Sequence, residues 1–301
     1  MKILIVGGGG MLGHKLVQVW QNRYDVWTTI RNNFQHYEKY KIYRRDRTFE
    51  NINIQNISSV EKTIEHIKPN VVVNAIGVIK QVPLAKNVIT TLSVNSIFPH
   101  QLSELAEEFQ FRLINISTDC VFSGKKGNYS ECDLADAHDL YGKSKYLGEV
   151  VTGNCLTVRT SIIGRELETS HSLVEWFLNN RGKSVKGFIK AIYTGFPTVV
   201  LADILSNLIE NHPNLRGLYH VSSEPINKFH LLSLINEAYQ AEIEIEPFED
   251  FVIDRSLNSN KFREATGFEP INWKEMIKRM AADNAIYQKN YDVRERIKNK
   301  K

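Results

Sequence analysis

The chain has 301 residues, of which 42% are hydrophobic and 24% charged, and its net charge is +4. These are the proportions of a soluble globular protein, long enough for one large α/β unit or for a nucleotide-binding unit with a smaller lobe. No apolar run is long enough to span a bilayer and no targeting peptide precedes the first strand, so a cytoplasmic protein with no membrane partner is expected.

The chain opens with the apolar run Ile3-Leu4-Ile5-Val6, as expected of a strand buried on both faces of a parallel sheet. Gly7 to Gly10 follow, and then Leu12, Leu16, Val19 and Trp20 fall on one face of a helix. Gly7, Gly10 and Gly13 thus sit in a strand–turn–helix, where backbone approaches a pyrophosphate closely and the helix N-terminus offers free N–H donors. A second strand is expected over 25–29, followed by polar, basic sequence to about residue 48. A short strand near 51–54 then precedes a helix over 58–67, with Ser58 as N-cap and Glu61 as its capping-box partner. Further strands are expected at 71–73, 112–116 and 155–159, with helices at 90–109 and 141–151 between them. Such a βαβ succession demands a doubly wound parallel sheet of the Rossmann kind. Beyond residue 164 the rhythm loosens into helices near 172–179, 202–211, 228–240 and 273–287. The expected organisation is therefore a dinucleotide-binding unit over 1–165, a mainly substrate-binding lobe over 166–288 that crosses back to the core, and a basic tail over 289–301. That tail reads as a solvated end and not as a nucleic-acid site. Cys120, Cys132 and Cys155 lack paired metal spacing, so reduced thiols and no metal site are expected.

Ligands of such a sheet bind beyond the carboxyl ends of its strands. Arg31 lies there after the second strand, with no acidic residue between Val26 and Tyr37. A basic residue at this point suits a 2′-phosphate, so NADPH is expected, with NADH left open. Ala75, Ile76 and Gly77 follow the strand at 71–73, small or apolar groups past which a cofactor ring could lie. Ser117, Thr118 and Asp119 follow the strand ending at 116, and Tyr141 and Lys145 stand four apart at the start of the next helix. That spacing puts phenol and ammonium on one helix face. A cation near a phenol, whose free pKa is ~10, makes it a better proton donor to a carbonyl receiving hydride. Tyr37 and Lys41 repeat the spacing, but in the polar region after the second strand, where a solvated helix face is expected.

Gly7-x-x-Gly10-x-x-Gly13, Asn74-Ala75, Ser117-Thr118-Asp119, Val121-Phe122-x-Gly124, Tyr141-Gly142-x-x-Lys145 and Gly148-Glu149 together resemble the extended short-chain dehydrogenase/reductases. Within them the chain is most similar to the dTDP-4-dehydrorhamnose reductase family of nucleotide-sugar 4-ketoreductases, strongly over 1–165 and more thinly to about 285. The resemblance implies Tyr141 as proton donor, Lys145 on the nicotinamide ribose and Thr118 on the substrate oxygen, with Asp119 and Ile162 on the substrate side. It also implies Gly10, Met11 and Leu12 at the pyrophosphate, Asn53 and Ile54 at the adenine, and Ala75 to Gly77 at the middle of the cofactor. Cys120 and Ile162 stand where the family usually has aromatic residues, and Asn53 where it usually has Asp. The implied activity is reduction of a 4-keto sugar on a nucleoside diphosphate, in deoxysugar and surface-polysaccharide synthesis, with a homodimer allowed. An epimerase or dehydratase of the same superfamily is the alternative, as is a non-catalytic NADP-binding subunit like that of methionine adenosyltransferase.

Overall fold

The structure, a computed structural model, describes residues 1–80, 83–284 and 287. The expected basic tail over 289–301 and Gln81 lie outside the described residues. The first half runs β1 (Lys2–Val6), α1 (Met11–Trp20), β2 (Asp25–Thr29), α2 (Phe34–Glu38), β3 (Thr48–Phe49), α3 (Ile57–Ile67) and β4 (Val71–Asn74). Helices α4 (Val88–Leu92) and α5 (Phe98–Glu108) join through a π-helical turn at Ser93–Ile97, and β5 (Arg112–Thr118), α6 (Leu140–Leu147) and β6 (Cys155–Thr160) follow. The remainder comprises β7 (Ile162–Ile163), α7 (Leu173–Leu178), β8 (Ser184–Phe188), β9 (Ala191–Tyr193), β10 (Phe196–Pro197), α8 (Thr198–Glu210) and β11 (Gly217–His220). It ends with β12 (Ile226–Asn227), α9 (Lys228–Tyr239), β13 (Glu244–Phe248), β14 (Ile253–Asp254), α10 (Asn260–Thr266) and α11 (Trp273–Ala282).

Seven strands form one parallel sheet in the order β11-β6-β5-β4-β1-β2-β3. Period-2 alternation sends Ile3, Ile5, Val71 and Val73 to one face and Leu4, Val6 and Val72 to the other. Both faces are covered, which is why these strands read as unbroken apolar runs. The first face carries α1 together with α8, α9 and α11, through Leu16, Trp20, Leu205, Ile235 and Met276. The second carries α3 and α5, through Val60, Ile64, Phe98 and Leu102. The order reverses at β1 and β4, whose ends lie level at Val6 and Asn74, and ligands of such sheets bind beyond that switch point. Three small sheets, β12-β9-β14, β10-β7 and β13-β8, form outside the main sheet. Among the described residues no helix is long and apolar enough to cross a membrane.

Several local expectations change. The third strand is Thr48–Phe49 and not 51–54, because Asn51 turns the backbone to φ +57° and the Asn53 side chain closes a turn onto the Gln55 amide. Helix α3 starts at Ile57 after Asn56, so Ser58 lies inside its first turn and the capping box does not form. Helix α6 stops at Leu147, α8 begins at Thr198, and α11 is regular only to Ala282. The helix expected around Tyr37 and Lys41 is the five-residue α2, which stops at Glu38, and the short α10 was not foreseen; both lie in polar sequence with little apolar period.

Candidate active site

The glycine turn closes on itself so tightly that side chains have no room. Gly7 adopts φ +96°, and a Cβ there would lie 2.4 Å from Ile76 Cγ1 across the switch point. A Cβ on Gly13 would lie 2.1 Å from the Gly7 carbonyl oxygen, so the third glycine lets α1 dock directly on the turn. Gly10 is different. A Cβ there would meet only ordinary contacts, at 3.4 Å from the Gly7 oxygen and 3.8 Å from the Ala75 oxygen, so its Cα borders open crevice. It caps α1 without a side-chain hydrogen bond and the first turn has no acidic residue, leaving the amides of Met11, Leu12 and Gly13 free for an anion. The turn therefore fits the pyrophosphate of a dinucleotide.

Around this turn the structure places Ala75, whose amide donates to the Val6 carbonyl at 3.0 Å, then Ile76 and exposed Gly77. Asn53 is exposed on the loop before α3, and Ile54 packs half-buried on the second core. Arg31 is exposed just past β2 and makes no ion pair among the described residues. The reading of Tyr37 and Lys41 as a solvated helix face is overturned. Lys41 adopts φ +54° beyond the end of α2, and Tyr37 is buried with its hydroxyl 2.7 Å from where a Gly9 Cβ would stand. Burial pushes that phenol up to about 12. Tyr43 supports the same turn, donating to the Gly8 carbonyl at 2.8 Å.

Thr118 ends β5, and α6 brings the Tyr141 phenol close to it. Asp139 caps α6 by accepting from the Gly142 amide at 3.0 Å, and its carboxylate also pairs with Lys80 at 2.7 Å. Desolvation, with the neighbouring Cys120 and Asp119, pushes the Tyr141 phenol well above its ordinary range. Lys145, on the same helix, turns to the sheet instead and donates to the Ile116 carbonyl at 2.7 Å. Burial lowers its ammonium to about 8, and the Glu149 carboxylate opposes that fall. Asp119 is buried beside Thr118, which donates to it at 3.1 Å, and burial raises its carboxyl despite Arg255. The Cys120 thiol is pushed up to about 12 by burial and by Asp119, so it stays neutral. Ile162 lies half-buried in β7 opposite Phe196. Thr118, Asp119, Tyr141 and Lys145 are thus brought together, whereas Arg31 and Asn53 sit on the other side of the switch point with the glycine turn.

Beneath the site lies a polar network that the strand and helix patterns do not announce. Ser117 points away from Thr118 and donates to Glu149 at 2.6 Å, and Arg159 grips Glu149 through two 2.6 Å hydrogen bonds. Arg159 also reaches His220 on β11 at 3.2 Å. Gly148-Glu149 was visible as a motif; its pairing with Arg159 was not. Arg255 and Lys228, which both approach Asp119 and Cys120, carried no sequence signal.

Fold and site together define the class of extended short-chain dehydrogenase/reductases. Within it, the chain belongs to the RmlD substrate binding domain family, whose model matches residues 1–286. It is 25% identical to a dTDP-4-dehydrorhamnose reductase of Aggregatibacter actinomycetemcomitans, over 93% of this chain and 98% of that protein. It is 26% identical to the methionine adenosyltransferase 2 subunit beta of Danio rerio, over 79% of this chain and 74% of that one. The fold superposes with a TM-score of 0.77 on a dTDP-4-dehydrorhamnose reductase from Bacillus anthracis solved in complex with NADP, at 20% identity over 93% of this chain and 98% of that chain.

Proposed function

We propose that the chain is an NADPH-dependent reductase of a 4-keto sugar carried on a nucleoside diphosphate. The observation that carries this reading is Tyr141 held against Thr118 beside the switch-point crevice, as a neutral phenol and with no free base at Cys120. Bound NADPH supplies the hydride. The phenol of Tyr141 gives its proton to the carbonyl oxygen, and Thr118 orients that oxygen by a hydrogen bond. Lys145, anchored on Ile116, holds the cofactor ribose, while the free amides of Met11, Leu12 and Gly13 take the pyrophosphate. Arg31 is assigned to the 2′-phosphate, Asn53 and Ile54 to the adenine edge, and Asp119 and Ile162 to the sugar side, with the residues after 165 completing the substrate pocket. A phenol raised by burial favours reduction, because it is protonated when the carbonyl needs a proton. The three free thiols agree with a cytoplasmic location. A homodimer is supported by exposed Ile89 and Ile97 on the α4–α5 helix and Tyr146 and Leu147 on neighbouring α6.

The test is a panel of nucleotide-linked 4-keto sugars with NADPH, followed by cofactor absorbance and product analysis. One NADPH should be consumed for each 4-hydroxy sugar formed. Multiple turnovers to an epimer or a 4-keto-6-deoxy product on substoichiometric NADP⁺ would sink the reductase assignment.

A further inference from the structure

Three cations surround Cys120 and Asp119, and they are not equally occupied. Lys80 is paired with Asp139. Arg255 donates through Nε to the Phe122 carbonyl at 2.8 Å, and its Nη1 lies 3.9 Å from Cys120 Sγ. Lys228 is half-buried and makes no hydrogen bond or ion pair among the described residues. Its position is fixed by the β12-β9-β14 sheet. Asn227 and Asp254 both lie opposite Ile192, so Lys228 and Arg255 leave the sheet on either side of β9 at nearly the same level. From there both act on Asp119 and Cys120 and repel each other. The thiol is neutral, and Asp119 already accepts a hydrogen bond from the Thr118 hydroxyl at 3.1 Å. Two cations therefore face one shared carboxyl, and a partly desolvated ammonium without a partner is a costly arrangement unless an anion arrives.

We propose that Lys228, with Arg255, forms an oxyanion subsite that binds a negatively charged oxygen group of the substrate and so selects substrates carrying such a group within reach of the reacting carbonyl. The assignment rests on the reading that a sugar substrate lies beside Tyr141. Two parts of a sugar nucleotide offer this chemistry: the diphosphate linkage, and an acid group on the sugar itself.

The experiment is binding calorimetry on the full chain and on Lys228→Met, which removes the charge but keeps the aliphatic stem. Four probes are compared: thymidine, dTDP, UDP-glucose and UDP-glucuronate. NADPH binding, unchanged in the variant, reports that it is folded, and Lys228→Arg serves as the charge-conserving variant. Loss of one charge-assisted contact should weaken binding roughly tenfold. Weaker dTDP binding with thymidine unchanged assigns the subsite to the diphosphate. A lost preference for UDP-glucuronate over UDP-glucose, with dTDP unchanged, assigns it to a sugar acid. Equal affinities of wild type and Lys228→Met for all four probes would overturn the proposal, as would wild-type protein that binds none of them. None of these readings needs turnover. Protein that binds dTDP through Lys228 yet oxidises no NADPH with any 4-keto sugar would refute the reductase reading and leave the subsite standing.

Discussion

Tyr141 is required to release a proton that its surroundings make it hold tightly, since burial and the neighbouring Cys120 and Asp119 all push the phenol upward. The transfer is favourable only as hydride reaches carbon and the carbonyl oxygen becomes alkoxide-like. Tyr141→Phe should therefore lower turnover by roughly 10²–10⁴-fold, the scale of a positioned general acid. NADPH affinity should change little, because Lys145 is tied to Ile116 and the glycine turn does not touch the phenol. Steady-state rates and cofactor titration on the same variant check both halves. Tyr37→Phe makes the contrast: that hydroxyl faces Gly9, so its loss should act on cofactor binding before turnover. Equal losses of turnover in the two variants would remove Tyr141 from its role. At the other end of the crevice, Arg31 is exposed and unpaired among the described residues, ready for a charge-assisted contact that NADH does not offer. Arg31→Asp should raise the NADPH dissociation constant and narrow its ratio to that of NADH. A wild-type protein that binds both cofactors equally would leave Arg31 without this function.

The geometry of these residues depends on how α6 meets the π-helical turn at 93–97. Asn95 accepts from the Val78 amide at 2.8 Å and donates to the Val78 carbonyl at 3.0 Å and to Ser144 at 3.1 Å, tying the loop after β4 to the Tyr141 helix. Such turns recur at functional sites because they push one residue out of helical register. The close approach requires Gly148, where a Cβ would stand 1.9 Å from the Asn95 carbonyl oxygen. Gly148→Ala should destabilise the protein by about 1–3 kcal/mol, as overpacking does. A denaturant midpoint unchanged from wild type would show that the contact relaxes freely. These elements also show what a sequence can carry. The turn at Gly7–Gly13 and the Thr118–Tyr141–Lys145 set were legible because strand ends, glycine spacing and helix phase are local properties. The burial of Tyr37 was not, since four-residue spacing predicts one helix face only if the helix continues, and α2 ends at Glu38, before the left-handed Lys41. Lys228 and Arg255 become neighbours only when segments near 191, 227 and 254 form one sheet. No window along the chain contains that fact.

Across the whole molecule, two fully buried histidines join distant segments. His14 in α1 binds the Gly10 carbonyl at 2.8 Å and the Tyr287 hydroxyl at 2.7 Å, and His220 on β11 binds the Tyr129 carbonyl at 2.9 Å. Burial lowers both to about 3, from the ordinary 6.5. Between those values the unfolded chain takes up protons that the folded chain refuses, so stability falls as pH drops below about 6.5. Each histidine adds a slope of at most about 1.4 kcal/mol per pH unit. Unfolding free energies measured between pH 4 and 6 should rise with pH, and His14→Gln should flatten the rise; an unaltered slope would refute the linkage. The edge position of β11 has a further consequence, for the time the chain spends being made. Strand β6 keeps an open edge until Gly217–His220 emerges from the ribosome, and the indole of Trp20 waits for its acceptor at Ala202. A nascent chain halted near residue 165 would present an unpaired strand edge and an uncovered apolar helix face together, the combination that invites aggregation.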